Sequence, residues 1–240
     1  MPVARVVKDP VVRRAEILDV AQRLVQTKGY ERMGIQDILD ELQISKGAFY
    51  HYFDSKLALL SAVIDRMQAG MRDPAAQLVA DPELSGIDKL RGFFSMLFGW
   101  KTARKEFFLS LLRVWYSPEN AVVREQVHCN AVQRFGPLLE DIVEQGISEG
   151  ALTISSSEGL GRIVLVMAND LSDRVAAWLL ADERQPVGAI GHTVALYSSA
   201  VERVLGAPGG SVEIFDTNLL AQWAQPRRRT SSPRRGRRHE

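Results

Sequence analysis

Apolar residues recur at helical spacing along almost the whole 240-residue chain. No run alternates with the period of two that marks a half-buried strand. Ile17, Leu18, Ala21, Leu24 and Val25 form one stripe. Asp9-Pro10 opens it as an N-cap and first-turn proline, and Gly29 closes it. Ile35, Ile38, Leu39 and Leu42 mark a short second helix, and "QIS" (43–45) breaks it. Ser45 then caps a third helix over about 46–52, and Asp54-Ser55 caps a fourth, whose stripe is Leu57, Leu60, Ile64, Met67 and Met71. Beyond "RDPAAQLVADPELSG" (72–86) the helices become longer and more apolar, at roughly 86–104, 106–116, 118–149, 156–182 and 187–206, with a weak last one near 216–224. Ser117-Pro118 and the capping-box pattern Ser155–Glu158 set two of the starts. Gly136-Pro137 should kink or split the 118–149 helix. The expectation is an all-α chain.

The stretch "SKGAFYHYFDSK" (45–56) concentrates aromatic and basic groups around one glycine. On a helical wheel Ala48, Phe49, Tyr52 and Phe53 share one half, while Lys46, Gly47, Tyr50 and His51 share the other. The first half reads as a packing face, with Phe49, Tyr52 and Phe53 fastening the third helix to the first and fourth. The second presents hydrogen-bond donors beside a backbone without a side chain. Two short helices joined by a three-residue turn describe a helix-turn-helix, whose second helix enters the DNA major groove. Gly47 would let the backbone approach sugar-phosphate. Lys56 lies in the first turn of a helix, where the macrodipole disfavours a cation by a few tenths to about 1 kcal/mol. A phosphate alongside would reverse that sign, and an exposed lysine tolerated at small cost is the other reading.

Composition sharpens the picture only at the ends. The net charge of +1 hides a tail, "PRRRTSSPRRGRRHE" (226–240), with seven arginines and one glutamate, so residues 1–225 carry −5. The tail has little to bury and is expected to be disordered. It offers either non-specific phosphate contacts or plain solubility. No apolar run reaches bilayer length and the N-terminus lacks a secretion core. Cys129 stands alone, which suits a reducing, cytoplasmic setting. Four scattered histidines and one cysteine make no zinc site. There is no Ser-His-Asp set, carboxylate pair or phosphate loop, so neither an enzyme nor a cofactor is expected.

The segment "GYERMGIQDILDELQISKGAFYHYFDSKLALL" (29–60) resembles the TetR/AcrR family of transcriptional regulators. Shared features are Gly-aromatic, an Ile in the second helix, Ile-Ser-x-Gly, Tyr-x-aromatic-Phe, then Lys and paired leucines. The resemblance covers about residues 11–72. It implies a TetR-like fold, with an N-terminal three-helix DNA-binding domain over 11–72 (helix-turn-helix about 36–55) and a larger helical ligand-binding and dimerisation bundle over 73–225. It also implies a DNA-contacting set of Gln36, Ser45, Lys46, Gly47, Tyr50, His51 and Lys56, with Tyr50 and Lys56 on phosphate. Two departures stand out. Met33 and Gly34 replace the usual hydroxyl residue, and Gln43 replaces a small turn residue and is expected to hold a left-handed conformation.

In the second domain, Phe94, Leu97, Phe108, Leu111, Trp115, Cys129 and Met167 are the candidates for an apolar effector pocket. Core packing is the alternative for each, and Cys129 could be a small buried hydrophobe or a redox sensor. Asn169, Asp170, Asp173 and Arg174 read, in order, as a solvated face, an interface salt bridge or ligand contacts. The helices at 156–182 and 187–206 are expected to pair with their symmetry mates in a four-helix homodimer interface. The functional expectation is a dimeric, sequence-specific regulator, a repressor released from a palindromic double-stranded DNA operator by a small apolar or amphipathic molecule. The alternative is a helical ligand-binding or protein-interaction module that does not bind an operator.

Overall fold

The computed structural model describes residues 9–181, 186–216, 220, 222 and 223, and no strand occurs among them. The Arg-rich tail at 226–240 and most of the weak helix near 216–224 lie outside the described residues. Among the described residues, the bounded α-helices run in order: α1 (Pro10–Lys28), α2 (Ile35–Leu42), α3 (Lys46–Tyr50), α4 (Lys56–Ala69), α5 (Arg72–Ala80), α6 (Gly86–Ala103), α7 (Lys105–Trp115), α8 (Ala121–Ser148), α9 (Leu160–Leu180) and α10 (Val187–Leu205). No helix among the described residues is long and apolar enough to cross a membrane.

The caps explain most of the boundaries. Asp9 accepts from Val11 N, Ser45 from Ala48 N, Ser55 from Ala58 N and Ser85 from Asp88 N, so each satisfies a first-turn donor that has no helical partner. One helix goes unassigned in the sequence reading, and two expectations need correction. The 72–86 stretch holds α5, because Met71 and Ala75 are buried and give the segment an inward face. The Ser155–Glu158 pattern does not start α9. Ser156 Oγ accepts from Glu158 N, Ser157 Oγ donates to Glu144, and the chain turns in left-handed Gly159 before α9 begins at Leu160. Pro137 does not split α8, which runs unbroken through it. The missing amide leaves Gln133 O without its helical donor, yet Phe135, Leu139, Ile142 and Val143 are buried on both sides and hold both halves against the core.

Two apolar cores form. One gathers α1 to α4 around Ile17, Leu24, Ile38, Phe49, Leu59 and Val63. It does not stop at residue 72, since Phe107 and Leu111 of α7 and Val127 of α8 belong to it. The other gathers α5, α6, α8, α9 and α10 around Phe93, Phe94, Phe135, Ile142 and Leu171. Helix α8 is the spine, packing on α9, α6, α4 and α5. Its crossings with α6 and α9 are made glycine on glycine. A Cβ on Gly86 would lie 2.7 Å from Gly146 Cα, and one on Gly161 would lie 2.9 Å from Gly136 C and closer still to its oxygen. No rotamer relieves a clash between a β-carbon and backbone. Gly161→Val is therefore expected to force the helices apart and destabilise the fold by about 1–3 kcal/mol. Chemical denaturation measures it, and an unchanged midpoint would contradict this packing.

Candidate nucleic-acid interface and inner cavity

The exposed face of α3 is built from its buried one. Phe49 is fully buried and Phe53 nearly so, their ring centroids 6.0 Å apart, with Arg14 of α1 stacked 5.1 Å from the Phe53 ring. Tyr52 is half-buried and packs against the same core. Anchored in this way, α3 turns Lys46, Gly47, Tyr50 and His51 outward, and all four are exposed. Tyr50 keeps 40% of its surface, its ring edge-on to Phe49 and 5.9 Å from Lys46 Nζ. A Cβ built on Gly47 meets nothing within 4 Å, so this turn of backbone stands clear of the rest of the chain.

The two departures from the family pattern flank α2. Gln43 adopts φ 52° and ψ 46°, the left-handed region that non-glycine residues seldom occupy. Gly34 has no side chain to cap α2. Asp37 compensates from the other side, accepting from Gly34 N and from Lys28 Nζ, each at 2.8 Å. The hydrogen bond from Lys28, seconded by that of Gly34, holds the Asp37 carboxyl below the usual carboxylate range. Met33, at the other departing position, is buried in the core.

Gln36, Lys46, Tyr50 and Lys56 meet around one groove between the start of α2, α3 and the start of α4. Ser45, Gly47 and His51 lie outside that groove, on or beside α3. Gln36 donates to Asp40 at 2.6 Å. Lys56 is not a free cation. Its Nζ sits 4.3 Å from the Tyr30 ring centroid and donates to Glu31 O at 3.4 Å. Partial burial lowers its pKa, with Glu31 and Asp37 opposing. Arg66 ties α4 to α1 through Asp19 at 2.7 Å and Gln22 at 2.8 Å, so α3 and α4 sit on a braced base.

A cavity of about 130 Å³ lies among α4, α6, α7, α8 and α9. Phe108, Leu111 and Trp115 line it, whereas Phe94, Leu97, Cys129 and Met167 do not. Phe94 is fully buried in the second core, and Leu97 and Met167 pack against that core. Cys129 is half-buried with Sγ 3.5 Å from Glu125 Oε1, and that contact raises the thiol pKa, the opposite of what a redox-sensing thiolate needs. The four polar residues of α9 divide. Asn169 lines the cavity, Asp173 accepts from Tyr116 Oη at 2.8 Å, and Asp170 and Arg174 join Tyr197 of α10 in an exposed network.

Sequence reasoning missed the polar wall of this cavity: Gln68, Lys101, Tyr116, His128 and Ser172. One signal was present. Lys101 falls three and seven positions after Phe98 and Phe94, on the inward face of an apolar helix. Its Nζ donates to Ser172 Oγ at 3.1 Å and sits 5.2 Å from the Phe98 ring. Burial lowers its pKa to about 8, with Asp173 partly offsetting. Burial also lowers the pKa of His128, whose Nε2 is 3.9 Å from Asp173 Oδ1, so that imidazole is neutral at pH 7. For Lys101 the sign is clear. Between about 8 and the model-compound value near 10.5 the unfolded chain holds more protons, so stability rises with pH across that window. Lys101→Met should therefore raise the melting temperature at pH 7, by about 2–4 °C for a penalty on the order of 1 kcal/mol after solvent screening. That advantage should shrink as the pH approaches 10. A variant less stable than the parent at pH 7 would overturn this.

The family model for bacterial regulatory proteins of the tetR family matches residues 17–63. The HTH-type transcriptional regulator EthR of Mycolicibacterium smegmatis is 30% identical over 146 residues, which cover 53% of this chain and 67% of EthR. The transcriptional repressor NemR of Escherichia coli is 28% identical over 81 residues, 34% of this chain and 41% of NemR. Among solved structures, Thermus thermophilus FadR, a TetR family repressor in complex with lauroyl-CoA, superposes with a TM-score of 0.55 at 23% identity, covering 69% of this chain and 84% of FadR. A TetR regulator from Haloarcula marismortui superposes at 0.54 with 21% identity, covering 79% of this chain and 98% of that one.

Proposed function

The chain belongs to the tetR family of bacterial regulatory proteins, which are DNA-binding regulators of transcription, and on that premise we propose that it is a homodimeric repressor released from a palindromic operator by a small molecule. The observation that carries this reading is the α3 face: Lys46, Gly47, Tyr50 and His51 exposed together on a helix fixed by buried Phe49 and Phe53. Lys46, Tyr50 and Lys56 supply phosphate or base-edge donors, and bare backbone at Gly47 permits close approach. Two such heads related by a two-fold axis read half-sites about one helical turn apart, ~34–36 Å.

Support for the dimer comes from apolar side chains left uncovered on α9 and α10. Ile163 and Val166 keep 47% and 49% of their surface, and Leu196 keeps 56%. Ala195, Ser199 and Ala200 beside them are small enough for close helix approach. Support for release comes from α4. Its start carries Lys56 beside the α3 face, and Ile64 and Gln68 farther along line the cavity. A ligand there has one rigid element through which to tilt the reading heads. Such a ligand must bind the DNA-free state more tightly by the factor with which it weakens DNA binding.

A mobility shift against the DNA flanking the chain's own coding region tests the reading. The expected result is a salt-sensitive complex at a palindrome, with light scattering reporting a dimer. A monomer at micromolar concentration, or no complex with any duplex at low salt, would overturn it.

A further inference from the structure

The cavity wall carries more chemistry than an apolar ligand would use. Lys101 brings an ammonium with three donors, of which Ser172 Oγ takes one. The nearby Asp173 carboxylate acts on it through charge alone and is itself hydrogen-bonded to Tyr116 Oη. Opposite in the chain, on α4, Gln68 Oε1 is buried without a hydrogen-bond partner. A buried amide oxygen left unpaired is costly, and so is a buried ammonium whose one hydrogen bond and nearby Asp173 charge only partly offset its burial. The remaining polar groups bring no second cation. Tyr116 Oη is committed to Asp173, and the imidazole of His128 is held neutral by burial. Thr102 and Asn169 add neutral polar groups, and the rest of the wall is aromatic and aliphatic, with Phe98, Phe108 and Trp115 among its rings.

Size sets a further limit. The cavity measures about 130 Å³, close to the roughly 150 Å³ engineered cavity that takes up benzene. One ring fits in it. Resting on the effector reading above, we propose that the ligand of this cavity is a single-ring carboxylate bearing a hydroxyl, its carboxylate paired with Lys101 and its hydroxyl with Gln68. A carboxylate accepts the two free ammonium protons as charge-assisted hydrogen bonds. A hydroxyl both donates and accepts, so it satisfies the Gln68 amide in either orientation. With one cation and a neutral imidazole in the wall and the Asp173 carboxylate behind them, the wall carries no surplus positive charge for a phosphate dianion, and a monoanion is the most it matches. The pairing joins α4 to α6, so it draws the helix beside the recognition face toward the bundle.

The test is calorimetric titration of the full chain at pH 7 with 3- and 4-hydroxybenzoate, benzoate and the matching hydroxybenzamides. At least one hydroxybenzoate is expected to bind roughly 10- to 100-fold tighter than its neutral amide, the worth of a charge-assisted hydrogen bond. Lys101→Met should erase that preference and Lys101→Arg should keep it. Gln68→Leu should erase the preference for hydroxybenzoate over benzoate. An amide that binds as well as its acid, a Met variant that keeps the preference, or no binding by any of these compounds overturns the proposal. A parallel mobility shift separates this from the effector reading. If an amide or another neutral compound binds in the cavity and releases DNA, the release reading stands and the Lys101 assignment falls. If the carboxylate binds through Lys101 and DNA stays bound, the assignment stands and the release reading falls.

Discussion

Gly47→Glu is expected to leave the protein folded, slightly stabilised, and at least about 100-fold weaker on its operator, a loss on the order of 2–3 kcal/mol. Each part of this result has its own cause. A Cβ at this position meets nothing within 4 Å, so the free protein has room for the side chain. Glycine inside a helix costs roughly 0.5–1 kcal/mol relative to alanine, and replacing it returns that energy. The second residue of α3 also lies at the positive end of the helix, where a carboxylate is favoured. On DNA the same carboxylate would stand between Lys46 and Tyr50, where phosphate and base edges approach. It would bring steric bulk and a charge of the same sign as the backbone. Melting curves and fluorescence anisotropy on one preparation measure both parts. A variant that binds the operator as well as the parent does would show that α3 does not approach DNA at this turn.

Phe49→Ala is expected to remove about 3–5 kcal/mol of stability, the range for deleting a fully buried aromatic ring. For a chain of this size the melting temperature should fall by on the order of 10 °C. Phe49 is fully buried, with ring neighbours in Tyr50 and Phe53. Its removal leaves a void under a helix of only five residues, which cannot hold its shape by its own hydrogen bonds. DNA binding should therefore fall further than global stability alone accounts for, since the reading face loses its mount. Calorimetry and hydrogen exchange at α3 amides check this. A loss of stability within experimental error, with exchange at α3 unchanged, would contradict the packing described here.

The N-terminal unit was legible because its signals are local. Caps at Asp9, Ser45 and Ser55, the break at "QIS" and the wheel of 45–56 each need only a few neighbouring residues, and the helices form where these place them. The left-handed Gln43 was legible from the family resemblance, which puts a small residue in that turn. The cavity was not. Its wall takes two to five residues from each of α4, α6, α7, α8 and α9, and nothing local marks which face of an apolar helix meets a void and which meets another helix. Phe94 and Phe108 are alike in sequence, yet one is fully buried in the second core and the other lines the cavity. Polar residues were the better guide. Lys101 and Asn169 interrupt apolar stripes at inward positions, and an inward polar group needs a partner that the helix itself cannot provide. From sequence, no element is assigned over 72–86, where Pro74, Asp81 and Pro82 dominate. A proline in the first turn does not hinder a helix, however, and α5 begins two residues before Pro74.

The glycine contacts at Gly86–Gly146 and Gly136–Gly161 have a mechanical consequence. Where backbones touch without side chains between them, helices cannot slide past each other by swapping rotamers. Helices α6, α8 and α9 thus behave as a stiff chassis, whereas α4 and α7 rest on it through deformable side chains. Any swelling of the hollow between them is absorbed at the two compliant walls, one of which ends beside the fingers that would grip the duplex.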